Sequence, residues 1–177
     1  MTVYRHIVVG VSAVVWRVPP VIWPLAADRS LTACLTRLQT HLRHSHQPPE
    51  CLVVRRAREP ARGQWALPGG HLQAQESVLQ AVARELVEEV HLQSPDYVLG
   101  PVRCVTDLFR PESATHYVLL TATACARGDA VLQPGDDADA VQWMCLEAMQ
   151  RDDAQLVPGC YAAARDIWTR VEQGDGG

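Results

Sequence analysis

Residues 7–16 read IVVGVSAVVW, a run in which only Gly10 and Ser12 interrupt apolar, mostly β-branched side chains. A strand with one wet face alternates apolar and polar residues, whereas this run is apolar on both parities. It therefore predicts a strand covered on both faces, at the centre of a sheet.

The composition changes after it. Pro19-Pro20, Pro24 and Pro48-Pro49 bracket a segment holding Leu31, Leu35, Leu38 and Leu42, spaced as one stripe of a helix behind an Asp28 or Ser30 cap. Residues 18–49 thus read as a helical insertion between two strands. Its leucine stripe either covers the sheet or forms a homodimer contact. Residues 51–55 (CLVVR) are a short strand and 56–63 a polar loop. Residues 65–68 are extended, because Pro68 biases its predecessor away from helix. Gly69-Gly70 reads as a loop before a helix over residues 76–90. Further strands are expected at 102–108, 116–126 and 140–145. A last helix over 160–171 carries Ala164, Ile167, Trp168 and Val171 on one side, and the polar tail 173–177 is expected to fray.

A chain of 177 residues is most simply one domain, here 1–177. Apolar residues make up 47% and charged ones 20%, with no apolar run of the ~18 residues that a membrane span needs. Residues 1–11 lack the pattern of a secretory leader, so the expected location is cytoplasmic. The net charge is −4, and the basic residues, all arginine, form no stripe of the kind that tracks a phosphate backbone; long nucleic acids are excluded as partners. The six cysteines lie far apart without a CxxC pair, as expected for buried small hydrophobes rather than a zinc site. His41, His44 and His46 form an HxxHxH cluster that reads as a solvated helix end before it reads as a metal site.

The chemistry concentrates in residues 84–89, RELVEE. On a helix, Glu85, Glu88 and Glu89 fall at i, i+3 and i+4 and project from one side, while Leu79, Val82, Leu86 and Val90 collect on the other. Acids in the last turns oppose the helix dipole at about 0.3–1 kcal/mol each. A divalent cation converts that repulsion into attraction, and clustered oxygen ligands suit Mg2+ or Mn2+.

The spacing Gly70, Glu76, Arg84-Glu85-Leu86, Glu88-Glu89-Val90 resembles the 23-residue signature of the Nudix hydrolases. The likeness extends to the ALPGGHL, HYVLL and GDDADAVQW segments. His91 departs from it, standing where the family usually has glycine. Glycine suits a left-handed helix stop, so another residue there costs about 1 kcal/mol or lets the helix run on.

The resemblance implies an α/β Nudix fold, a mixed curved sheet sandwiched between helices. It implies a small-molecule nucleotide substrate and Mg2+-dependent (or Mn2+-dependent) hydrolysis of the pyrophosphate bond of a nucleoside diphosphate linked to another moiety, with ADP-ribose-like substrates favoured. Nucleoside triphosphates, oxidised dNTPs included, are the alternative, and a non-catalytic nucleotide sensor on the same fold is a third reading. It implies that Glu85, Glu88 and Glu89 ligate the metal together with the Gly69 carbonyl, that Arg84 orients these carboxylates, and that Glu76 is structural. Glu112, between two strands, is a candidate mobile-loop base. Trp65 and Phe109 are candidates for stacking on a base, against core packing for either.

Overall fold

The computed structural model describes residues 6–135 and 137–174. The predicted central strand is β1 (His6–Val18), followed by α1 (Leu31–Ser45), β2 (Glu50–Arg56), β3 (Trp65–Ala66), β4 (Gly69–His71) and α2 (Val78–Val90). Then come β5 (Tyr97–Arg110), β6 (Thr115–Arg127), β7 (Ala138–Cys145), α3 (Leu146–Met149) and α4 (Cys160–Glu172). The strands form one mixed sheet in the order β3-β2-β1-β6-β5, with β4 paired to β1 and β7 to β2. β1 runs parallel to β6 from His6 opposite Thr115 to Val18 opposite Arg127. Its other edge is shared, taking β4 at Gly10–Ser12 and β2 at Trp16.

Both faces of β1 are covered, as its sequence requires. Val11, Ala13 and Val15 on one parity and Val14, Trp16 and Val18 on the other are all 1% exposed or less. Trp16 packs on Trp168 of α4, ring centroids 4.9 Å apart, while the opposite face carries α2. Burying each such aliphatic side chain contributes roughly 1.5–3 kcal/mol, so this strand anchors the core.

α1 is capped by Ser30, whose Oγ accepts the Ala33 N–H at 3.1 Å; Asp28 lies outside it and pairs with Arg37 instead. Leu35 and Leu38 are 3% and 1% exposed, and Leu31 and Leu42 pack against the same core. The leucine stripe covers the sheet.

Several boundaries differ from expectation. Gly69-Gly70 is a strand rather than a loop: a Cβ on Gly69 would overlap the Val11 carbonyl and Ser12, so close approach to β1, not a chain break, calls for glycine. β5 begins at Tyr97 because irregularities near Val102 bend it and keep it paired with β6. The short α3 was not anticipated. Cys34, Cys51, Cys125 and Cys160 are buried, whereas Cys104 and Cys145 are half-buried; all six are unpaired. The tail expected to fray lies, beyond Gly174, outside the described residues. Among the described residues no helix is long and apolar enough to cross a membrane.

Candidate active site

α2 starts at Val78, two residues later than its pattern suggests, because Ser77 forms a capping box with Gln80. The Ser77 Oγ accepts the Gln80 N–H at 3.3 Å and the Gln80 side chain accepts the Ser77 N–H at 2.8 Å, satisfying two otherwise orphaned donors. Ala81, Val82, Leu86 and Val90 are buried; Leu79, expected among them, is 40% exposed. Glu85 is 8% exposed and takes a place on the buried side, so the three carboxylates do not share one solvated face.

Arg84 organises them. Its Nη1 donates to Glu85 Oε1 at 2.7 Å and to Glu88 Oε2 at 2.9 Å, and its Nε and Nη2 grip Glu76 at 3.1 and 2.8 Å. Nη2 also donates to the His71 carbonyl at 3.1 Å, fastening the helix to β4. Glu76 precedes the helix and additionally accepts the Gln73 N–H at 2.7 Å. The Arg84 guanidinium and that N–H hold the Glu76 carboxyl below the usual carboxylate range, while Glu76 foremost keeps Arg84 protonated.

Glu89 turns toward β4, where its Oε2 accepts the Gly69 N–H at 2.8 Å. Burial, with Glu85 and Asp137 reinforcing it, pushes its carboxyl up from 4.5 to about 7, against the Gly69 N–H and Arg56, which lower it. Beside it, a Cβ on Gly70 would meet the Glu85 carboxylate and push that carboxylate from its place. The double glycine thus serves both the strand pairing and the seat of two acids.

At the far end the helix stops at Val90. His91 adopts the left-handed conformation, φ 56° and ψ 22°, which histidine enters more readily than most residues. Its N–H donates to Val87 O at 3.1 Å, the Leu92 N–H to Leu86 O at 3.0 Å, and Leu92 is 1% exposed. The helix does not run on, because these bonds and the buried leucine fix the stop that glycine would otherwise favour.

The turn between β6 and β7 closes over this end. Gly135 N–H donates to Glu89 O at 2.8 Å and Gln133 N–H to Val90 O at 3.2 Å, and Gln133 O lies 3.0 Å from His91 Nδ1. Asp137 pairs with Arg58 at 2.8 Å, and with Arg56 it completes the charges acting on Glu89. The sequence marks none of Arg56, Gln133, Gly135 and Asp137 as a site residue, although Gly135 and Asp137 lie in the GDDADAVQW segment that shares the family likeness.

The remaining candidates stand apart. Trp65 is half-buried in β3, under the Arg55 guanidinium at 5.8 Å, and Phe109 is in β5, 54% exposed and stacked on His116 at 4.5 Å. β2, β1 and β6 lie between their strands in the sheet order, so the two rings do not form one clamp. Glu112 is exposed in a single turn, Pro111–Ser113, joining β5 to β6. That end of the sheet meets β1 at His6, four residues or roughly 13 Å along the strand from the β4 pairing at Gly10. His44 turns its Nδ1 to its own Thr40 carbonyl.

Among the described residues no three His, Cys, Asp or Glu converge tightly enough to hold a metal by themselves. Magnesium does not need such a cage, since it is bound through one or two carboxylates plus waters and substrate phosphates. The donors fit a hard cation, for every one is oxygen and one cation already stands among three of them, the Arg84 guanidinium between Glu76, Glu85 and Glu88.

Comparison with known proteins agrees with this arrangement. The NUDIX domain family matches residues 39–163. A Mycobacterium tuberculosis protein named for 8-oxo-dGTP diphosphatase is 46% identical over 50 residues, 28% of this chain and 36% of that protein. This chain spans about a third of the length of the curated relatives it matches. The NUDIX domain of Shewanella oneidensis NrtR, solved with ADP ribose, superposes with a TM-score of 0.64 at 19% identity, covering 94% of this chain and 90% of that one. A Caenorhabditis elegans Ap4A hydrolase binary complex gives 0.64 at 17%, covering 94% and 98%. With the carboxylate helix, the mixed sheet and a family match over most of its length, the chain belongs to the NUDIX domain family.

Proposed function

We propose that this chain is a single hydrolase domain, with residues 18–49 inserted, that cleaves the pyrophosphate bond of a nucleoside diphosphate linked to another moiety, ADP-ribose-like substrates first. The observation that carries this reading is the carboxylate array itself, Glu76, Glu85 and Glu88 gathered on Arg84 with Glu89 braced by the Gly69 N–H. Glu85, Glu88, Glu89 and the Gly69 carbonyl would hold Mg2+ or Mn2+. The chemistry such a cation supplies when bound is acidification of water and neutralisation of charge on the leaving phosphate.

The chain's own groups do the rest. Arg84 keeps Glu85 and Glu88 from splaying, which preserves their geometry before any ligand arrives. Burial raises the Glu89 carboxyl to about 7 while no cation is bound; a cation beside it would favour the ionised form, which is the form that can accept a proton from the attacking water. The unpaired cysteines suit the reducing cytoplasm in which we place the protein.

A second reading, hydrolysis of nucleoside triphosphates including oxidised dNTPs, is favoured by the likeness to the mycobacterial relative. Incubation with Mg2+ and a panel of ADP-ribose, nucleotide sugars, dinucleoside polyphosphates and dNTPs separates the two. Glu88→Gln is expected to lower turnover by two to three orders of magnitude, since metal-assisted charge stabilisation supplies several kcal/mol. Tight nucleotide binding without turnover would reassign the chain as a sensor.

A further inference from the structure

We infer that His91 is a positioning residue, tying the end of the carboxylate helix to the β6–β7 turn and so setting where Glu88 and Glu89 stand. The inference rests on the reading of α2 as the metal-bearing helix.

The last four carbonyls of a helix lack partners within it. On α2 the backbone of His91 and Leu92 takes Val87 O and Leu86 O, leaving Glu89 O and Val90 O to the N–H groups of Gly135 and Gln133. The turn is seated tightly, for a Cβ on Gly135 would overlap the Glu88 carbonyl. It therefore bears on the backbone of two of the three clustered acids. Beside these two backbone bonds, the Gln133 carbonyl gives the turn a third tie, accepting a hydrogen bond from His91 Nδ1–H at 3.0 Å.

The backbone at position 91 gives no reason for a histidine. Its φ of 56° is one that glycine adopts without strain and a residue with a Cβ does not. The ring bond to Gln133 is what histidine adds and glycine cannot. A displaced turn would free the Glu89 carbonyl and shift the last helical turn, moving carboxylates whose spacing must match a small cation. The same turn carries Asp137, paired with Arg58, so its displacement would also change the charge around Glu89.

The test compares His91→Gly and His91→Asn in the full chain. His91→Gly is expected to unfold at the same temperature as the parent or higher, since backbone strain is relieved. Its affinity for Mn2+, read by electron paramagnetic resonance, should fall about tenfold, as when a residue orienting metal ligands is lost. The Gly135 amide should exchange faster with solvent. Asparagine tolerates the left-handed conformation and can donate to a carbonyl, so His91→Asn should restore Mn2+ affinity to within about twofold of the parent. Parental Mn2+ affinity and parental Gly135 exchange in His91→Gly would overturn the inference. A parent chain that binds no Mn2+ would instead remove the hydrolase reading, and exchange at Gly135 would still decide whether His91 holds the turn.

Discussion

Two helices of this protein end in the same way and are used differently. α1 stops at His46 with φ 56° and ψ 28°, α2 at His91 with φ 56° and ψ 22°. Each donates its backbone N–H to a carbonyl of the last turn. The His91 ring reaches the β6–β7 turn, whereas among the described residues the exposed His46 ring has no hydrogen bond. The polar faces differ too: α2 carries an arginine-centred carboxylate array, and α1 carries solvated side chains over a leucine stripe. A left-handed stop is thus a local solution open to either helix. What distinguishes α2 is what its last residue and its acids are connected to.

The comparison is sharpened most by emptying the core under α1. Leu38→Ala should destabilise the fold by about 3 kcal/mol, given a leucine only 1% exposed, while Mn2+ affinity in the folded fraction stays parental. Urea unfolding with and without Mn2+ checks both halves, and a loss of affinity would show that the two helices are coupled.

A smaller effect should come from Glu89. Its carboxyl sits near 7 in the folded metal-free protein against an ordinary 4.5, so the folded state retains a proton that the unfolded chain has released. Below about 4.5 both states hold the proton. As pH rises from there through 7, the metal-free protein should lose stability, because the native state binds more protons in that window. Glu89→Gln should flatten this slope in denaturation curves taken across pH. Added Mg2+ should flatten it too, by favouring the ionised carboxylate.

The smallest change is expected at the other histidine. His46→Gly should raise stability by about 1 kcal/mol or less, by relieving the same backbone conformation, with no change in Mn2+ affinity. Set beside His91→Gly, it isolates the ring bond to Gln133 from the backbone strain common to both sites.

Much of this was legible in the chain. The apolar run at residues 7–16 announced a two-faced strand because burial on both sides leaves no polar parity. The helix carrying Glu85, Glu88 and Glu89 announced itself through spacing. Gly69-Gly70 misled, since glycine marks both chain breaks and close backbone approach, and only the neighbouring β1 decides between them. The acids were foreseen as one patch, but Glu85 is drawn inward over Gly70 and Glu89 toward the Gly69 N–H. Such placement depends on residues fifteen or more positions away. Gly135 and Asp137 were illegible as parts of the site for a stronger reason, that the fold alone brings the β6–β7 turn onto the end of α2.

The pairing of β1 with β6 joins residues 109 positions apart, and it bears on how the chain reaches this structure. At ordinary rates of synthesis, a partner that far along emerges about 5–20 s after β1. During that interval β2 and β4 are already available to one edge of β1, and the other, water-averse edge waits for a mate. The β5–β6 hairpin needs only a short connection and closes at little entropic loss, so it is the natural template onto which the waiting strand zips. The β4–β1 pairing that seats the carboxylate array closes a shorter loop than the β1–β6 pairing, so damage to the later docking step would show as slow maturation or clumping before it showed as a disturbed array.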